Sequence, residues 1–122
     1  METFLLGLYD RYNILLREDN MLCINEDIFI FLSENDNRII LLCPCFPVPD
    51  QQTDLVGLLA LNCKNEITFC CADDLIMAKL IMNQDDDFDG MMDKFGWYVH
   101  EIIAARDCFS PGPRQEMPGR VA

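Results

Sequence analysis

The feature that most constrains this chain is the block Ile39-Ile40-Leu41-Leu42-Cys43-Pro44-Cys45-Phe46-Pro47-Val48-Pro49-Asp50. An apolar run long enough for a strand meets three prolines, at 44, 47 and 49. Each removes a backbone donor and pushes the preceding residue toward extended conformations. The chain must leave its strand there through a rigid turn. Asp50, Thr53 or Asp54 can then cap a helix, expected over residues 54–62 and apolar on nearly all sides. All-round apolarity in so short a helix implies burial on more than one face. In a domain this small, a subunit interface is the natural place for the second face. The block holds no constellation suited to catalysis, which points toward binding.

Either side of this block the pattern continues. Residues 2–16 read as a helix, with Leu5, Leu8, Tyr12 and Leu15 at helical spacing and Phe4, Leu6 and Ile14 lying off that stripe. Strands are expected over 21–25, 28–32 and 38–45, separated by the turns Glu26-Asp27 and 33–37, whose short polar side chains bond locally to the backbone. Residues 66–72 and 75–82 form a strand pair around Asp73-Asp74. Asp85 to Asp89 place negative charge ahead of a last helix over 91–109, where the helix dipole favours it. The expected fold is α+β, in the order α-β-β-β-α-β-β-α, with helices packed on an antiparallel twisted sheet. Residues 1–109 make one domain. Residues 110–122, rich in Pro and Gly and without periodicity, are expected to be a disordered tail.

Composition removes several classes of function. The chain has 122 residues, 51% of them hydrophobic, and a formal net charge of -12 with a pI near 4.2. That apolar content supports a folded core, whereas disordered acidic chains lack it. The negative charge repels phosphate backbones and anionic lipid, so neither nucleic acid nor stable membrane insertion is expected; a basic polypeptide partner suits it better. Seven cysteines, with no basic, apolar leader at the start, suggest a reducing cytoplasm.

Three motifs invite chemistry and fall short of it. Asp85-x-Asp87-x-Asp89-Gly90 begins like a calcium loop, but position twelve is Gly96 where a bidentate Glu is required. It reads as an acidic loop and helix start with weak cation association at most. Cys43-x-Cys45 and Cys70-Cys71 lack the two-to-four-residue ligand spacing of zinc sites. His100, the one histidine, has no marked nucleophile partner, and Trp97 and Tyr98 suit core or interface anchors. No metal, cofactor or catalytic residue is expected, and the chain is not expected to be an enzyme.

The element order, small size, low pI and missing active site resemble the class I type III secretion chaperones, the Tir-chaperone-like group. The resemblance is carried by the apolar-Cys-Pro run from Leu41 to Asp50, by a Leu-rich helix ending in Leu61-Asn62, and by the acidic turn in Ile24-Asn25-Glu26-Asp27-Ile28-Phe29-Ile30. It covers residues 1–109. The chain departs from it at Arg11-Tyr12-Asn13-Ile14, where the family's first helix often has a glycine-containing break. The resemblance implies a cytoplasmic homodimer that holds the N-terminal segment of one secreted effector in extended form and hydrolyses no nucleotide. It extends the implied partners to the secretion ATPase. It places the dimer interface on Leu55, Leu58, Leu59, Leu61, Ile67 and Phe69. An extended client adds to a sheet edge and sends alternate side chains into apolar pockets. Phe4, Leu5, Leu8 and Tyr12 would wall one pocket; strands 28–32 and 39–42, with Ile28, Ile30, Leu32, Ile40 and Leu42, would supply the edge and a second. The acidic surface would steer a basic client segment. The alternative from composition is an acidic inhibitor or mimic that blocks a basic partner.

Overall fold

Six non-glycine residues hold left-handed backbone conformations among the described residues, and five of them are Asn or Asp, the types whose short polar side chains tolerate that region. They punctuate the chain in a computed structural model that describes residues 2–62 and 66–109. Asn13, at φ 57°, ends α1 (Glu2–Tyr12). Its N–H reaches back to Tyr9 O at 2.9 Å, closing the helix with a left-handed C-terminal cap. The helix therefore stops short of residue 16, although the apolar spacing runs on through Leu15. Asn20 leads into β1 (Met21–Ile24), and Asn25 with Glu26 turns it into β2 (Ile28–Asn35). Asp36 turns β2 into β3 (Arg38–Pro47), so β2 runs further and its loop is shorter than the polar residues suggested.

β3 runs past residue 45: Pro44 stays in the ladder opposite Met77, a register shift follows, and the strand ends at Pro47 ahead of α2 (Gln52–Leu61). None of Asp50, Thr53 or Asp54 is the cap; Gln51 occupies that position without a side-chain hydrogen bond. Asp73 turns β4 (Thr68–Ala72) into β5 (Leu75–Asn83). Asp87 accepts a bond from the N–H of Gly90 at 3.2 Å and starts α3 (Phe88–Phe109), a side-chain N-cap.

The expected α-β-β-β-α-β-β-α order is the observed one. The strands form one five-stranded antiparallel sheet in the order β1-β2-β3-β5-β4. The core lies between one face of this sheet and the helices: Ile30, Leu41, Leu80 and Met82 from the strands, Phe4 and Leu8 from α1, and Phe95, Tyr98 and Ile102 from α3. Phe4 meets Phe95 edge to face at 6.0 Å. Buried Tyr98 donates its hydroxyl to Ala78 O at 2.7 Å, fastening α3 to β5. Burial pushes that phenol's pKa upward, which keeps it a donor. The tail expected beyond residue 109 lies outside the described residues.

Candidate client-binding surface

Side chains alternate across a strand, so the inward set defines the outward one. On β2, Ile28, Ile30 and Leu32 are buried while Phe29 and Phe31 are 38% and 41% exposed. On β3, Ile39, Leu41 and Cys43 point inward and Ile40, Leu42 and Pro44 outward. On β5, Ile76, Ala78, Leu80 and Met82 are buried, leaving Leu75, Met77, Lys79 and Ile81 on the other side. The register draws these into rows: Met21, Phe31, Leu42, Lys79 and Thr68 lie side by side, with Ser33, Ile40 and Ile81 in the next. The result is a broad apolar sheet face that no helix among the described residues covers.

Its electrostatics differ from those of the chain as a whole. The outward strand positions carry Arg38 and Lys79 and no Asp or Glu. The carboxylates stand at the rim, in exposed turns holding Glu26, Asp27, Asp36, Asp73 and Asp74, and around the start of α3. They are spread rather than gathered on one face, as an acidic mimic would need.

Ile40 and Leu42 lie on this open face. Phe4, Leu8, Ile28, Ile30 and Leu32, expected in the client pockets, are instead 0–4% exposed. They belong to the chain's own core and have no surface to offer unless that core opens. The pattern Ile28-Phe29-Ile30-Phe31-Leu32 is apolar in both registers, so its period does not show which set faces in. Leu5 is half-buried, and Tyr12 is 38% exposed. Tyr12 packs on Phe95 at 5.6 Å, donates to Met92 O at 3.1 Å and lies against Gly96, where an added Cβ would meet its hydroxyl at 2.8 Å. Leu6, Tyr9 and Leu15 are the more exposed members of the first-helix region. β2 and β3 cannot supply a free edge, because they are interior strands; β1 and β4 are the edges.

The second surface is on α2. Leu58, Ile67 and Phe69, expected at a dimer interface, are 0–4% exposed within the single chain. Leu55 and Leu61 are half-buried, whereas Val56 and Leu59 are 58% and 64% exposed. Asn62 just beyond α2 clamps β4, accepting from Phe69 N–H at 2.7 Å and donating to Phe69 O at 3.1 Å. That clamp occupies the backbone of edge strand β4 at this point.

The candidate chemical motifs resolve into structural roles. Asp85 accepts from Asn37 at 2.6 Å, Asp86 from the N–H of Asn83 at 3.1 Å, and Asp87 caps α3. Asp89 and Asp93 pair with Arg11 at 3.2 and 3.3 Å, joining α3 to α1. Among the described residues no three potential ligands gather to hold a metal ion. A register shift between Pro44 and Phe46 makes Cys45 the bulged residue, its thiol bonding Cys43 O at 3.4 Å. A hydrogen bond with Cys45, together with burial, raises the Cys43 pKa; the same bond lowers that of Cys45. Among the described residues no helix is long and apolar enough to cross a membrane.

Comparison with known proteins gives a consistent result. The family model of the type III secretion chaperone domain matches residues 3–110. The chaperone protein IpgE of Shigella flexneri is 23% identical over 95 residues, covering 76% of this chain and 79% of that protein. The chaperone protein SigE of Salmonella typhi is 33% identical over 69 residues, 56% of this chain and 61% of that protein. Among solved structures, a chain of the ExsC–ExsE complex superposes with a TM-score of 0.71 at 10% identity, covering 90% of this chain and 93% of that one. The HopA1–SchA chaperone–effector complex gives 0.66 at 14% identity, covering 87% and 92%. At such identities the structural likeness concerns the fold, and it is this α+β fold.

Proposed function

The chain belongs to the type III secretion chaperone family, and on that premise we propose that it is a dedicated cytoplasmic chaperone for the N-terminal segment of a secreted effector. The observation that carries the reading is the open sheet face. A chain that buries Leu41, Leu80 and Tyr98 completely leaves Phe29, Phe31, Leu75 and Ile81 38–43% exposed on one surface, and a contiguous exposed apolar patch marks an interaction site. A client in extended form presents alternate side chains to such a surface. Met77 beside Lys79 adapts to irregular client side chains. Ordering a disordered client costs several kcal/mol, so affinity requires a large wrapped area. Two copies of the chain provide it.

In this reading the homodimer forms through α2, with Leu59 and Val56 as the contacting apolar side chains and Leu55 and Leu61 beside them. Leu58, Ile67 and Phe69 support that surface from beneath. The client lies on Phe29, Phe31, Ile40, Leu42, Met77 and Ile81, with Leu5 and Tyr12 contributing at the first helix. The chaperone holds and releases without bond chemistry, and handover to the secretion ATPase completes its role.

The test is co-purification from the source bacterium with mass determination of the intact complex. Two copies of this chain with one larger polypeptide, protected from protease only near its N-terminus, are expected. A lone monomer without bound polypeptide would overturn the proposal. Leu59→Asp should yield monomers, because a carboxylate without a partner at an apolar interface is costly. Leu58→Asp is the poorer probe, since Leu58 lies in the chain's own core.

A further inference from the structure

Resting on the chaperone reading, we propose that the client segment seated on the open sheet face is apolar and carries a carboxylate opposite Lys79. The net charge of -12 suggests the reverse, a basic client. Local placement argues otherwise. Lys79 stands near the middle of the outward face, beside Leu42 and Thr68 across the strands and Met77 and Ile81 along its own. It is half-buried, and its ammonium makes no ion pair with any described residue. All its outward strand neighbours are uncharged. Arg38, four positions before Leu42 on β3, is the other ionisable group of positive charge on this face, and no outward strand position carries an acid.

Screening sharpens the point. Exposed charges beyond the Debye length, about 8 Å at physiological ionic strength, act weakly. The rim carboxylates therefore steer distant encounters less than Lys79 governs what docks against it. A client covering the face takes the ammonium out of water, and an unpaired buried charge is costly. A client Asp or Glu at that point removes the cost through a charge-assisted hydrogen bond. A client Lys adds repulsion. The acidic exterior then serves solubility, while the docking face selects an apolar segment with at least one acidic residue.

The probes are three synthetic twenty-residue peptides of alternating Leu and Ser, identical except for Asp, Asn or Lys at one central position. Their binding is read by fluorescence anisotropy at physiological salt. The Asp peptide should bind roughly tenfold more tightly than the Lys peptide, with Asn between them, and Lys79→Glu should invert the order. Phe31→Asp should abolish binding of all three, locating them on this face. The proposal is overturned if the Lys peptide binds best to both proteins, since bulk charge then governs. It is equally overturned if Phe31→Asp leaves binding intact, or if the wild-type protein holds none of the peptides. In each of these cases the chaperone reading still stands or falls on the mass of the co-purified complex.

Discussion

Leu41 and Leu42 are neighbours on β3 with the same side chain, yet Leu41 is fully buried and Leu42 only half-buried. The same contrast runs along β2, where Ile30 is enclosed and Phe31 is open. On the inner face the apolar groups share one buried core with side chains from the three helices. On the outer face side chains of equal hydrophobicity have only their strand neighbours among the described residues. Burial is worth roughly 25 cal/mol per Å² of apolar surface, so the inner face contributes to folding while the outer face leaves part of that free energy unrealised in the single chain. Hydrophobicity therefore does not distinguish the buried face from the open one in this sheet; the placement of the helices does.

The largest effect should come from Leu41→Ala, with a loss of about 2–5 kcal/mol of stability. Leu42→Ala should cost well under half as much, both being read from urea unfolding at one protein concentration without client. Equal losses would mean that the outer face is already covered in the free protein and would end the comparison. Next in size is Phe31→Asp. It should weaken client retention at least about tenfold by placing an unpaired carboxylate under the bound segment, with little change in thermal midpoint. A collapse of stability instead would return Phe31 to the core. Smaller still is Tyr98→Phe, which leaves Ala78 O without its 2.7 Å partner. It should cost about 1 kcal/mol while client retention stays as in the wild type.

Much of this arrangement was legible in the residues. β3 ends at Pro47, just before Pro49, Asp73-Asp74 turn β4 into β5, and the eight elements follow in the expected order. The site was less legible. Residues 28–32 are apolar at every position, so period-two reasoning does not choose a face, and the sequence does not show that Ile28, Ile30 and Leu32 are the buried members. A usable signal lay elsewhere. Lys79 in β5 and Arg38 in β3 mark the outward parity of their strands. Through a two-residue turn such as Asp36-Asn37, which sets the pairing of Asn35 with Arg38, parity can be passed from strand to strand. The end of α1 is hidden for a related reason: apolar spacing continues through Leu15, but Asn13 adopts the left-handed conformation that closes the helix. On α2 the apolar surface exceeds one face, but only packing against β4 separates Leu58 from Leu59.

The smallest expected effect sharpens the comparison most. Lys79 and Ala78 are adjacent on β5, one facing out and the other receiving the Tyr98 hydroxyl. If the outer face contributes nothing to the fold of the free chain, Lys79→Met should change stability by no more than about 0.5 kcal/mol, the usual range for surface substitutions. The same change removes the one charge set among Leu42, Met77 and Ile81. Charges on exposed sheet surfaces oppose association of like faces, so the client-free variant should self-associate more readily, as light scattering would detect. A stability loss above 1 kcal/mol would give Lys79 a role within the chain. Unchanged stability with increased self-association would identify its ammonium as a guard of an apolar surface kept for another polypeptide.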